Sequence, residues 1–134
     1  MGSIRLIILA LVALATAACA AGGTSPPQAL DSGVQGVTMV GPTCPVQREN
    51  AACPDQPLAN ASLTVTRQGS TAVVATGHSD ADGRFRISLV PGAYMLLPAN
   101  PSGSAVPPSA PARPFSVDPH AYTELTVRFD SGIR

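Results

Sequence analysis

Ser79-Asp80-Ala81-Asp82-Gly83-Arg84-Phe85-Arg86-Ile87-Ser88-Leu89-Val90-Pro91-Gly92-Ala93-Tyr94 sets an alternating apolar run between two turn signals. Phe85, Ile87 and Leu89 alternate with Arg86 and Ser88, the period-two pattern of a strand with one buried face. Asp80-Ala81-Asp82-Gly83 reads as a β-turn in which Asp accepts backbone hydrogens and Gly supplies a positive φ. It is expected to close a hairpin, and Val90-Pro91-Gly92 a second tight turn.

The same alternation recurs on either side. Leu63 and Val65 oppose Thr64 and Thr66 in Ser62–Arg67, and Leu125, Val127 and Phe129 oppose Glu124, Thr126 and Arg128 in Thr123–Phe129. Weaker runs lie at Val34–Val40, Ala72–Thr76, Ala93–Leu97 and Pro114–Val117, with Gln68-Gly69-Ser70 as a further hairpin turn. All fourteen prolines fall beyond residue 18, and no amphipathic helix of useful length fits between them. The spacing predicts an all-β, seven-stranded antiparallel sandwich over residues 33–134. Leu63, Val65, Phe85, Ile87, Leu89, Tyr94, Leu125 and Val127 are its expected core. The proline-rich segment Asn100–Ala112 is a long loop.

The order of Ala61-Ser62-Leu63-Thr64-Val65, Ser79–Phe85 and Leu89–Tyr94 resembles the carboxypeptidase regulatory-like domains. The resemblance covers about residues 33–129 and implies their transthyretin-like (prealbumin-like, Ig-like) sandwich. Gly41-Pro42-Thr43-Cys44-Pro45 and the Asp130–Arg134 end look like a bacterial secreted subgroup of that family, which implies a fold more than an activity. Some transthyretin-like proteins hydrolyse 5-hydroxyisourate and end in Tyr-Arg-Gly-Ser; this chain ends Ser131-Gly132-Ile133-Arg134 and departs from that pattern.

The N-terminal segment has a different character. Arg5 is the one charge among the first eighteen residues, and the apolar run Leu6–Ala15 is shorter than the roughly 20 residues that span a bilayer. It has the size of a signal-peptide h-region. Thr16-Ala17-Ala18-Cys19 resembles a bacterial lipobox, with Thr16 where Leu is usual. The resemblance implies a lipoprotein signal peptide at 1–18, cleavage before Cys19, and a diacylglyceryl thioether with an N-acyl chain such as palmitate on Cys19. At about 0.8 kcal/mol per buried methylene, several chains anchor a protein where one does not. Residues 19–32, rich in Gly, Ser, Pro and Ala, then read as a flexible tether. Plain secretion is the alternative.

The chain is 134 residues long, 45% apolar, with eight arginines, no lysine and eight acids. That balance excludes a basic nucleic-acid footprint. Lacking lysine, it also excludes Schiff-base chemistry, a P-loop and a lysine isopeptide cross-link. In an exported chain Cys44 and Cys53, each beside a proline, form a disulfide, stabilising by about 2–3 kcal/mol on the chain-entropy account. Zinc would need further ligands that His78 and His120 do not complete. Asp80-Ala81-Asp82-Gly83 fails as a calcium loop because Pro91 occupies the twelfth position. His120 and Glu124, four apart on a strand, would lie about 13 Å from each other, too far to share an ion. Both histidines are expected to be exposed. Tyr122 and Phe115 are the two aromatic residues left for carbohydrate stacking, and Asn60-Ala61-Ser62 matches a glycosylation sequon, here taken as coincidence.

No catalytic residue, cofactor or metal is assigned. The sequence points to a non-enzymatic extracytoplasmic lipoprotein, held to the cell membrane by lipid at Cys19. It would act as an interaction or structural module with a cell-envelope protein or polysaccharide as partner and no nucleic acid. A small hydrolase or ligand carrier on the same fold is the alternative.

Overall fold

The computed structural model describes residues 30–45, 53–104 and 106–133. The signal segment, Cys19 and most of the tether lie outside the described residues, as does Arg134. Among the described residues the chain forms eight strands and no helix. They are β1 (Gly33–Gly41), β2 (Gln56–Pro57), β3 (Ser62–Arg67), β4 (Val73–His78), β5 (Arg84–Ser88), β6 (Gly92–Ala99), β7 (Arg113–Val117) and β8 (Tyr122–Asp130). Seven correspond to the alternating runs. The eighth, β2, is two residues long, too short to carry any periodicity.

Two sheets pack face to face. In one, β1 is flanked along its whole length by β8; on its other side β5 pairs Gly33–Val37 and β2 pairs Met39 and Val40. The other sheet runs β4-β3-β6-β7. The pairing is antiparallel except between β1 and β8, which run parallel with Gly33 beside Tyr122 and Gly41 beside Asp130. Alternation reveals which face of a strand is buried but not the direction of its neighbour, so this pairing was not readable from the pattern.

The expected core is found. Leu63, Val65, Phe85, Ile87, Leu89, Tyr94 and Val127 are buried, joined by Val34, Leu96, Phe115, Val117 and Phe129. Leu125 is the exception, only partly buried against this cluster. Phe115 corrects the carbohydrate-platform expectation: it is 6% exposed, with its ring 5.7 Å from that of Tyr94. Its position opposite Tyr94 on β6 turns it inward.

Asp80–Gly83 forms the expected turn with a different destination. Asp80 Oδ1 accepts from the amides of Asp82 and Arg84, both at 2.9 Å. Gly83 has φ +74, and a Cβ there would stand 2.5 Å from the Thr38 carbonyl oxygen. The turn does not close a hairpin. It carries the chain from β4 in one sheet to β5 in the other. Thr38, fully buried, anchors the crossing: its amide donates to Gly83 O at 2.7 Å, and its Oγ1 lies 2.6 Å from Leu58 O.

Candidate functional site

Strand directions give the sandwich two unlike poles. At one, the chain enters at Leu30 and the connections are short: the β3–β4 hairpin, the β5–β6 turn and residues 118–121 between β7 and β8. At the other, β1 and β8 end together, and the long excursion after Gly41, the Asn100–Ala112 loop and the C-terminal residues converge. The second pole is the candidate site, because loops on a rigid scaffold are where binding residues concentrate.

Each loop there is held by a different device. Cys44 and Cys53 are joined, with their Cα atoms 6.0 Å apart. Asp55, just beyond, receives Arg128 of β8 at 2.9 Å, tying the braced excursion to the central sheet. The Asn100–Ala112 loop winds around one side chain. Asn100 is 3% exposed; its amide nitrogen donates to Val106 O at 2.8 Å and to Ser104 Oγ at 3.2 Å. Its Oδ1 accepts from Ser102 Oγ at 2.7 Å and the Ser104 amide at 3.2 Å. A buried amide satisfied at both ends specifies one loop shape, since leaving it unpaired would cost roughly 1–3 kcal/mol. The loop's far end is stitched to β8 by reciprocal backbone bonds between Ser109 and Asp130.

The C-terminal residues dock here too, by polar contacts. Ser131 donates its amide to Gly41 O at 3.0 Å and its hydroxyl to Pro42 O at 2.6 Å, while the Gly132 amide donates to Asp130 Oδ1. Ile133 is 38% exposed. Two shallow clefts open on this pole. One, of ≈ 380 Å³, runs between Pro98, Asn100, Ser104, Pro108 and Ala110; the other, of ≈ 260 Å³, lies among Gly41, Pro42, Arg128 and Asp130.

The opposite pole grips residues 30–33. Tyr122 Oη donates to Leu30 O at 3.2 Å and lies 3.0 Å from Ser88 Oγ. Asp31 pairs with His120, Ser32 donates its hydroxyl to Leu89 O at 2.7 Å, and the Gly33 amide donates to Ala121 O. The Tyr122 ring lies across Gly33, where a Cβ would meet it at 2.9 Å and Ile87 O at 2.1 Å. The Arg86 guanidinium sits over the ring at 3.7 Å from its centroid, a cation–π stack. The hydrogen bond from His120 holds the Asp31 carboxyl below its usual range, and the same bond raises His120. Hydrogen bonding to Ser88, then to Arg86, lowers the Tyr122 hydroxyl.

The sequence-read residues therefore separate. Cys44 and Cys53 come together. His78 is exposed at the end of β4, and His120 is exposed in the turn before β8 at φ +56. Glu124 bonds to Gln35 and His120 to Asp31, so the two do not share a ligand. Tyr122 is half-buried, roofed by Arg86. Among the described residues, no three His, Cys, Asp or Glu side chains group as metal ligands. Asn100 and Ser131 were not picked out from sequence. Asn100 had a signal, an Asn-Pro pair directly after a strand, which favours turn initiation.

No protein-family model matches the chain, and no curated protein is similar to it. Solved structures are similar in fold. The Bacillus anthracis TIE protein superposes with TM-score 0.51 at 17% identity, over 75% of this chain and 17% of that one. GBS52, the minor pilin of Streptococcus agalactiae, superposes with TM-score 0.52 at 13% identity, over 76% of this chain and 45% of that one. The chain thus spans less than half the length of either. The Klebsiella pneumoniae 5-hydroxyisourate hydrolase follows more loosely, with TM-score 0.45 at 16% identity over 73% of this chain and 85% of that one. The all-β two-sheet sandwich expected over residues 33–134 is the fold observed.

Proposed function

We propose that the protein is a structural or interaction module of the cell envelope, tethered through lipid on Cys19 and presenting its braced loop pole away from the membrane. The observation that carries this reading is the opposition of the two poles: the chain from Cys19 enters at one, and the disulfide, Asn100 and Ser131 order the loops at the other. Between Cys19 and Leu30 the chain reaches at most about 36 Å, enough to free a domain from the headgroups. A nine-residue strand adds about 30 Å between the poles. The partner on this reading is a cell-envelope protein or polysaccharide meeting the loop pole, and the module performs no catalysis.

Intact-mass measurement of protein extracted from membranes is the test. The expected species begins at Cys19 and carries the mass of a diacylglyceryl group plus one acyl chain. An unmodified Cys19, or a mature chain starting elsewhere, refutes the anchor.

A further inference from the structure

At the pole where the chain enters, one arrangement occurs twice. Leu30, 43% exposed, has its carbonyl held by the Tyr122 hydroxyl at 3.2 Å, and the Arg86 guanidinium lies over the Tyr122 ring. Val90, also 43% exposed, has its carbonyl held by the Tyr94 hydroxyl at 2.6 Å, and the Arg67 guanidinium lies 5.5 Å from the centroid of the Tyr94 ring. Ser32 joins the two units, accepting the Leu89 amide at 2.9 Å and donating its hydroxyl to Leu89 O. Each unit is an exposed aliphatic side chain on a backbone fixed by a tyrosine, with an arginine against the ring. Neither arginine makes an ion pair among the described residues, where the ion pairs join Asp31 to His120 and Asp55 to Arg128. A guanidinium held by a ring instead of a carboxylate keeps most of its five N–H donors for other acceptors.

We propose that this pole docks on the phospholipid headgroups of the leaflet that holds the lipid on Cys19, with Arg67 and Arg86 on phosphate oxygens and Leu30 and Val90 at the acyl boundary. The partner rests on the tether reading: the chain from Cys19 joins the domain at Leu30, inside one of the two units, so this pole is the surface brought to the leaflet. Chemistry supplies the fit. Arginine matches phosphate oxygens with paired N–H donors, and aliphatic, tyrosine and basic side chains together are the composition of a membrane interface. Charge sets the preference among lipids. The acids of this pole are Asp31 and Asp118. His120 engages Asp31, so two arginines face one exposed carboxylate, Asp118, that has no ion pair among the described residues. An anionic leaflet is therefore favoured over a zwitterionic one. The tether is long enough to let the domain lift away, so contact depends on the side chains of the pole itself. Docking is weak alone and is sustained by the effective concentration that the anchor supplies.

The experiment places a fluorophore on Thr71→Cys, in the β3–β4 hairpin of this pole. The full lipidated chain is reconstituted into vesicles of phosphatidylcholine and phosphatidylglycerol that carry a headgroup quencher. Quenching is expected to be strong, and to fall at least about twofold when Arg67→Gln and Arg86→Gln are combined. Leu30→Ser with Val90→Ser should lower it likewise. Arg84→Gln with Arg113→Gln, an equal loss of charge at the loop-pole ends of β5 and β7, should leave it unchanged. Thermal melting checks that each variant is folded. Quenching indifferent to the pole substitutions, or weakened equally by Arg84→Gln with Arg113→Gln, overturns the proposal. Flotation of the same samples with the vesicles reads the tether separately. If the chain does not float, the tether reading fails, and the pole is decided by the unlipidated chain at about millimolar lipid. Binding that is lost in Arg67→Gln with Arg86→Gln then sustains the docking, and no binding overturns it.

Discussion

The pole where the chain enters and the pole where β1 and β8 end are ordered by opposite means. The first is gripped through four consecutive residues, Leu30 to Gly33, by the buried Ser32 hydroxyl on Leu89 O, by bonds nearer the surface and by one exposed ion pair. The second is ordered by a covalent bridge, a buried amide and a serine hooked under the Gly41–Pro42 carbonyls. Short turns hold themselves, because few backbone bonds need closing. Long loops have no such economy and need a side chain of their own to define a shape. A buried polar side chain serves each pole, Ser32 at the first and Asn100 at the second, and the contrast lies in the covalent bridge and the long loops that only the second pole has to order.

Substitutions at the loop pole should therefore cost more than their counterparts at the tether pole. The largest effect is expected from Phe129→Ala, since Phe129 is fully buried beside Val40 where the loops hang from β8. It should lose about 3–5 kcal/mol in urea unfolding. Thr123→Ala, at the tether end of the same strand, should lose less than about 1.5 kcal/mol, the scale of one hydrogen bond. Equal losses would break the comparison. Next comes the bridge. Replacing Cys44 and Cys53 together by Ser should cost about 2–3 kcal/mol, and thiol counting of the parent protein under denaturing, non-reducing conditions should find neither free. Asn100→Ala follows, at about 1–3 kcal/mol, with accelerated amide exchange at Gly103 and Ser104 and none at residues 30–33. Exchange rising at both poles would mean that the loop is not independently held.

The smallest effect belongs to the exposed Asp31–His120 pair. His120, raised above 6.5, contributes fully below its unfolded value and loses that contribution as pH rises through its folded value. Asp31, lowered below 3.8, contributes above its unfolded value and loses it as pH falls through its folded one. The pair's contribution to stability is thus full between about pH 3.8 and 6.5 and fades on either side as the folded values are crossed. NMR titration of His120 should give a pKa above 6.5 that returns to the ordinary value in Asp31→Asn. An unshifted His120 in the parent chain would remove the clip.

Much of the fold was legible because alternation is a property of single strands. Phe85, Ile87, Leu63, Val65 and Val127 announce their burial by spacing alone. What involves two distant segments was hidden. The parallel β1–β8 pair joins the first strand to the last, and the two-residue β2 exists because Met39 and Val40 of β1 give Gln56 and Pro57 an edge. The same limit governs the candidate site. Cys44 and Cys53 were legible because cysteine chemistry is local, whereas Ser131 acquires its role only when β8 ends beside Gly41. Leu125 shows the reverse case: it fits the alternation, yet stands only partly buried.

The opposed poles can be tested most directly by depth. The full lipidated chain is reconstituted into vesicles carrying a headgroup quencher, with a fluorophore on Val90→Cys at the tether pole or on Ser102→Cys at the loop pole. Quenching should be strong at residue 90 and weak at residue 102, as about 30 Å of strand separates the poles. Equal quenching at both positions, or stronger quenching at residue 102, would contradict a domain that stands on its short turns and presents its braced loops.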